Sequence, residues 1–321
     1  MQSYQLTLKP STAFATPMLG DTLFGQLCWA VRNRFGEGRL EDLLQNYSEK
    51  PFAVVSDAFP ENHVPLAALP GCYYREVPKM DRKAVKKRTW LPLSALRSEL
   101  PEWLGLAKTD ADIAAGFQDK KKHCLMETHS QPHNSINRLT GTTGTGAEFT
   151  PYAMNQDWYH PQLQWHCYVL VDESCIESDE IRQCLEDIGL LGYGRDASIG
   201  MGKFEVRQFQ SFQFPDRDDA NAFLTLAACA PQGLDFDPVR SFYQVFTRFG
   251  RHGDRAVHKD NRPFKNPVLL AKAGAVLTAR LPVDNWLGQG VGGSGELSKT
   301  IPQTVQQGYA PVIAIHLPEA V

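Results

Sequence analysis

Four glycines fall within eleven residues in the run Gly192-Tyr-Gly-Arg-Asp-Ala-Ser-Ile-Gly-Met-Gly202, and Lys203 follows directly. Glycine accepts positive φ and lets a backbone come close to a ligand. Successive exposed N–H groups in such a loop form a concave nest for an anion. Arg195, Ser198 and Lys203 add a guanidinium, a hydroxyl and an ammonium, all of which contact phosphate. A plain turn needs only one or two glycines, so Gly192, Gly194, Gly200 and Gly202 together point to a phosphate clamp. A second polar run, from His133 to Gly146, mixes hydroxyls, amides and one arginine on a flexible Gly/Thr backbone. His133, Asn134, Arg138 and Thr140 suit sugar and phosphate contacts to a single strand, although the same composition also describes a plain surface loop.

Two charge clusters supplement these loops. Lys79, Arg82, Lys83, Lys86, Lys87 and Arg88 face only Asp81, and eight Lys or Arg between Pro238 and Lys272 face only Asp254 and Asp260. The chain as a whole carries a net charge of −3, so any polyanion must be held by such local patches. Other patterns fail on chemistry. Gly288-Gln-Gly-Val-Gly-Gly293 matches GxGxxG but lacks the strand-to-helix setting and the acidic residue of a dinucleotide site. The GTTGTG run lacks the Lys-Ser/Thr of a P-loop. His129 and His133 are separated by Pro132, which argues against a shared helical face, so no metal or other cofactor is expected.

These residues need elements to position them. Tyr4, Leu6 and Leu8 alternate with polar residues and predict a strand with one buried face. Leu23, Leu27 and Ala30 predict a helix capped at Asp21 or Thr22 and ending at Gly36. A shorter helix is expected over 40–47 and a strand over 54–60. Residues 61–133 read as an irregular insertion with a short helix around 93–100, and the polar run after it as an extended loop. Trp165 to Val171 predicts a strand, and Ile181, Leu185 and Ile188 a helix capped at Ser178. The glycine run then occupies the turn into a strand over 203–208. A Pro/Asp-rich break at 215–219 separates a second half, with paired strand segments over 268–281 and a closing strand over 312–317.

Seven cysteines with no CxxC pattern, several in apolar surroundings, fit reduced thiols rather than disulfides or zinc. Apolar runs are too short to span a bilayer, and the N-terminus has no signal-peptide pattern. No membrane contact is expected, and the expected location is the cytoplasm.

Taken in order, Thr16-Pro-Met-Leu-Gly-Asp-Thr-Leu-Phe-Gly25, Val55-Ser-Asp-Ala-Phe-Pro60, His133-Asn-Ser-Ile-Asn-Arg-Leu-Thr-Gly141 and the Gly192–Gly202 loop resemble the RAMP superfamily of CRISPR effector proteins. With Phe264-Lys-Asn-Pro-Val268, Ala273-Gly-Ala275 and Gln306-Gln-Gly-Tyr-Ala-Pro311, they resemble more narrowly the fourth Csm subunit of type III-A interference complexes. The resemblance implies an α+β chain of two ferredoxin-like (RRM-like) domains, an inserted β-hairpin thumb and a glycine-rich loop. The domains would be 1–212, with the insertion at about 61–133, and 213–321. The stretch from Lys79 to Arg97 is the candidate for the thumb or its flank. The resemblance further implies a subunit without catalytic activity that holds the 5′ repeat-derived tag of crRNA. Such a subunit docks the large polymerase-like subunit and serves antiviral defence, beside a backbone RAMP subunit and with target RNA nearby. Asn137 departs from the family motif, which has an acidic residue there. The competing expectation is a metal-independent crRNA-processing endoribonuclease of the same superfamily, with His133 as general acid or base. Such enzymes carry the glycine loop near the C-terminus, whereas more than a hundred residues follow Gly202 here.

Overall fold

The computed structural model describes residues 1–76, 81–118, 124–144, 149–253, 263–279 and 284–319. The alternating N-terminus forms β1 (Gln2–Pro10). Both of its faces are covered: Leu6 and Leu8 are fully buried on one side, and Gln5 and Thr7 are only 5 % and 4 % exposed on the other. Helix α1 (Gly20–Phe35) begins one residue before the expected cap, because Gly20 N–H donates to Asp57 Oδ1 at 2.8 Å. A capping carboxylate 37 positions away has no local signature. Burial, with Asp21 nearby, pushes the Asp57 carboxyl up to about 7 against the pull of that N–H. Helix α2 (Glu37–Leu44) follows. The single strand expected over 54–60 is split into β2 (Ala53–Val55) and β3 (Phe59–Pro60).

The insertion holds β4 (His63–Pro65), α3 (Arg82–Lys86) and β5 (Trp90–Pro92), which pairs with β4. Next come 3-10 turns at Leu93–Arg97 and Leu100–Glu102 in place of the helix expected there, then α4 (Trp103–Leu106) and α5 (Asp110–Ala115). The insertion does not end at 133. Strands β6 (Met126–His133) and β7 (Tyr152–Tyr159) pair with each other as a separate ribbon, so the inserted run reaches residue 164. The described part of the polar run, 133–144, therefore lies at the far end of a paired ribbon rather than in a free loop. The stretch Lys79 to Arg97, expected as the thumb or its flank, forms α3, β5 and a 3-10 turn; Lys79 itself lies outside the described residues.

Strand β8 (Trp165–Val171) is buried at every position because it lies between neighbours inside the sheet. Helix α6 (Ser178–Leu191) takes Glu177, not Ser178, as its N-cap, in a reciprocal box with Glu180. Strand β9 (Phe204–Ser211) completes a sheet of order β2-β8-β1-β9, all antiparallel. Leu23, Leu27, Ile181 and Leu185 from the two helices pack on Leu6, Leu8, Cys167 and Val169. On the opposite face His166, 4 % exposed, accepts hydrogen bonds on Nδ1 from Gln5 Nε2 (3.0 Å) and Asn62 N (3.2 Å). Protonation at Nδ1 would break both. Burial, with His63 adding to it, pulls this imidazole down to about 4. Glu61 is 3.9 Å from Nε2, too far to hold a proton there. The folded pKa is depressed, so the stabilisation is complete above the unfolded pKa of about 6.5 and is lost as pH falls from there toward about 4. The His166 contribution to the unfolding free energy should drop by on the order of 3 kcal/mol across that window, while Asp57, whose carboxyl is raised, contributes in the opposite direction. The difference between the parent and His166→Gln in urea titrations at a series of pH values isolates the imidazole's share.

The second half contains β10 (Ala222–Thr225), β11 (Val245–Arg248), β12 (Val268–Ala271), β13 (Val276–Leu277), β14 (Trp286–Gly288), β15 (Val291–Gly292), β16 (Val305–Gln306) and β17 (Tyr309–Ile315). Its main sheet has the order β13-β10-β17-β14, and β11 pairs with β12 as a ribbon. The segments expected to pair with each other, β12 and β13, pair instead with β11 and β10. Among the described residues this half has no helix, and its strand order is not that of the first sheet. The mixed α and β composition holds, but the second half does not repeat the plan of the first.

The halves share one interface. Gln307, fully buried, donates to Val55 O (2.7 Å) and accepts from Val55 N (2.8 Å), supplying β2 with side-chain partners. Tyr309 hydroxyl donates to Tyr47 O at 2.8 Å. Tyr168 and Phe59 of the first half cluster with Leu224 and Ile313 of the second. Among the described residues, no helix is long and apolar enough to cross a membrane.

Candidate functional site

The glycine run does connect α6 to β9. Gly192 (φ 112°) ends the helix, Asp196 adopts φ 66°, Ala197–Ile199 makes one 3-10 turn, and Gly200 and Gly202 follow at φ 96° and 72°. Three of the four glycines answer to the protein's own packing. A Cβ at Gly192 would stand 2.5 Å from Met201 O, at Gly194 2.6 Å from Thr16 Cβ, and at Gly202 2.1 Å from Tyr193 O. Only Gly200 opens on space, with no atom within 4 Å of a built Cβ. Glycine density alone therefore overstates the opening toward a ligand.

The loop is fixed from beneath by the connection between β1 and α1. Gly202 N–H donates to Ala13 O (2.7 Å), Arg195 N–H to Thr16 Oγ1 (2.9 Å) and Lys203 N–H to Thr12 Oγ1 (2.9 Å). Tyr193, fully buried, donates its hydroxyl to Pro17 O (2.8 Å) and accepts from Leu19 N (3.0 Å). Burial raises that phenol well above its ordinary value, which keeps it a donor. What remains outward is the crest: Arg195 and Ser198 are exposed, and Lys203 is half-buried below them. Arg195 Nε lies 3.1 Å from Asp196 Oδ2, so an incoming anion competes with one half-buried carboxylate partner. Thr12 and Thr16 escaped sequence reasoning. Their one signal was hydroxyls in the connection that must return beside the loop.

The same connection reaches the inserted ribbon. Phe14 exchanges backbone hydrogen bonds with Asp157 (2.9 and 2.8 Å) and packs edge-on against Tyr159 and Trp165. Loop and ribbon base thus share one support. The ribbon tip lies five residue pairs farther out, at His133 opposite Tyr152, about 17 Å from the Thr128–Asp157 pair. His133 stacks on Tyr152 with centroids 5.5 Å apart. Asn134 Oδ1 accepts from Thr143 (2.6 Å), and Thr140 and Thr142 hydroxyls pair at 2.8 Å. Asn137 Oδ1 accepts from Leu139 N (2.9 Å), a role an acidic residue would fill equally well. Arg138 and Thr140 are exposed, as is Leu139 beside them at 96 %.

The basic cluster divides. Lys83, Lys86 and Lys87 are exposed on and just after α3, whose cap is Asp81. Arg88 is already engaged, donating to Gly105 O (2.9 Å) and Ala107 O at the end of α4. Among the described residues, no hydrogen bond or ion pair joins this cluster to either loop, and no group of three His, Cys, Asp or Glu is placed to hold a metal. The structure therefore brings the glycine loop and the ribbon base together and leaves the α3 lysines separate.

No family model and no curated protein sequence matches the chain. Its fold, however, is shared with chains of solved Csm subcomplexes. The chain is similar over 98 % of its length to all of a chain in the crystal structure of a Csm3–Csm4 subcomplex of the type III-A interference complex (TM-score 0.59, 12 % identity). It is similar over 99 % of its length to 99 % of a chain in a Csm1–Csm4 cassette with cA4 (TM-score 0.58, 16 % identity). It is also similar over 99 % of its length to all of a chain in that cassette with pppApA (TM-score 0.57, 14 % identity). The likeness to the fourth Csm subunit drawn from the motifs holds at the level of fold.

Proposed function

We propose that this chain is a non-catalytic subunit of a type III CRISPR ribonucleoprotein in the cytoplasm. It holds the 5′ repeat-derived tag of crRNA, docks the large polymerase-like subunit and adjoins a backbone RAMP subunit. The first sheet, with α1 and α6 on one face, has the strand order of a ferredoxin-like unit, and we read the second half, which has no helix among its described residues, as a divergent counterpart. The β6–β7 ribbon is the thumb. One observation carries the reading: a full-length fold shared with Csm4-containing assemblies presents Arg195, Ser198 and open Gly200 on an otherwise self-packed loop.

The test uses Arg195→Ala with Ser198→Ala and Gly200→Ala, all at positions that face solvent. Loss of a charge-assisted contact, about 1.5–3 kcal/mol, should weaken guide binding roughly ten- to a hundredfold. Thermal stability should fall only by the strain of one alanine at positive φ. Intact guide binding, or cross-links placing the chain at the guide's 3′ end, would refute the assignment. Incubation with repeat RNA should leave it uncut. Cleavage abolished by His133→Ala would establish the endoribonuclease reading instead.

A further inference from the structure

The outer face of the β11–β12 ribbon takes no part in the function proposed above. Along β11 and its continuation, Val245, Thr247, Phe249 and Arg251 are exposed, while Phe246 and Arg248 between them are sheltered. Across the ribbon, Leu269 stands opposite Thr247 and Phe264 opposite Arg251, so these side chains share that face. Phe249 and Phe264 are 73 % and 69 % exposed, a large apolar area for a folded surface to leave bare. The Arg251 guanidinium carbon lies 6.0 Å from the centre of the Phe264 ring. The described ribbon, Val245–Gly253 and Pro263–Ala271, contains no carboxylate, although the chain has 36 Asp and Glu. At its near end the face meets an open groove of about 590 Å³ lined in part by Phe236, Tyr243 and Gln244.

We propose that this face is a second site for single-stranded nucleic acid, with unpaired bases stacked on Phe249 and Phe264 and Arg251 on the adjoining phosphate. Exposed aromatic rings beside a cation, without acid, suit a ligand that presents π-faces and negative charge together. A protein partner would cover the apolar residues but does not call for a carboxylate-free, cation-bearing ribbon. The run from Pro238 to Lys272 carries eight Lys or Arg against two Asp; Arg248 is neutralised by Asp21, and the remaining excess of positive charge adds long-range attraction of the same sign. The site lies beyond the tag-holding reading and does not depend on it.

The test measures anisotropy of a short fluorescent oligouridylate with the full chain, and of an abasic strand of equal length. Phe249→Ala with Phe264→Ala should weaken oligouridylate binding about tenfold or more and leave the abasic strand unaffected. Arg251→Gln should weaken both strands and lower the salt slope by about one. Both variants act on exposed positions, and matched melting curves verify that they fold. The Arg195/Ser198/Gly200 variant should retain the ribbon effect, which separates failure of this site from failure of the loop. Unchanged oligouridylate affinity in the double variant, or equal binding of the abasic strand by the parent, would overturn the proposal. So would unchanged affinity accompanied by loss of a co-purifying protein, which would assign the face to that protein.

Discussion

Arg248→Ala is expected to destabilise the protein by about 3–5 kcal/mol, as breaking one partner of a buried ion pair does. Asp21 sits in the first turn of α1 with its side chain 2 % exposed, and both guanidinium donors of Arg248 reach its carboxylate at 2.5 Å. Gln306 Nε2 donates to the same carboxylate at 3.3 Å. The helix N-terminus favours a negative charge there, but one turn of dipole, at most about 2 kcal/mol, does not offset the desolvation of an unpaired carboxylate. The cost is therefore mainly that of the orphaned Asp21. Two consequences separate this account from simple loss of packing. Asp21→Leu with Arg248→Met, which removes both charges, should recover most of the stability. The double-mutant coupling should also be well above the value of less than about 1 kcal/mol seen for exposed pairs. Urea unfolding of Asp21→Leu, Arg248→Met and the double variant provides the measurement, and equal losses in the single and double variants would contradict it. Because Arg248 belongs to β11 and Asp21 to α1, the same pair aligns the second half with the first.

Gly202→Ala should be the most damaging substitution in the glycine loop, and Gly200→Ala among the mildest. Both residues have positive φ, 72° and 96°, so both alanines bear left-handed strain of roughly 1–2 kcal/mol. At Gly202 the new Cβ also meets Tyr193 O at 2.1 Å and Tyr193 N at 2.8 Å, backbone atoms that cannot rotate away. Relief requires moving Tyr193, whose hydroxyl bonds secure Pro17 and Leu19, or breaking the Gly202 N–H bond to Ala13 O. Overpacking of this kind adds about 1–3 kcal/mol, for a total near 2–5 kcal/mol. Thermal melts should therefore rank Gly202→Ala well below Gly200→Ala. Similar melting temperatures would mean that the loop is not packed as described. For the same reason Gly202 is a poor probe of ligand binding, since it fails before the ligand is asked.

The first sheet and its helices were legible because their information is local. Leu23, Leu27 and Ala30 in α1, and Ile181, Leu185 and Ile188 in α6, repeat at the helical period, so burial of one face follows from spacing alone. Alternation marked β1 and β9 as strands, though not that both faces of β1 would be covered, and the glycine run could only join α6 to the strand after it. The likeness to the fourth Csm subunit was drawn from short motifs in order, and the whole-chain likeness to solved Csm subcomplexes agrees with it at the level of fold.

The second half was less legible. Its short strands pair across long gaps, β10 with β17 and β14 with β17, and a three-residue strand such as Trp286–Gly288 has too few positions to show a period. The β6–β7 ribbon was missed because it is exposed on both faces and so lacks hydrophobic alternation, the one signal that marks a strand in sequence. Thr16 and Asp57 stand within recognisable motifs and Thr12 and Thr16 bring hydroxyls to the connection, but nothing local says that the threonines hold the loop, that Asp57 caps α1 or that Arg248 pairs with Asp21. Local spacing determined which residues turn inward and where the chain must bend. Which distant group satisfies each buried donor, carboxylate or glycine was decided only when segments as far apart as 285 residues were packed together, because a hydrogen bond or a steric limit depends on position in space and not on neighbours in the chain.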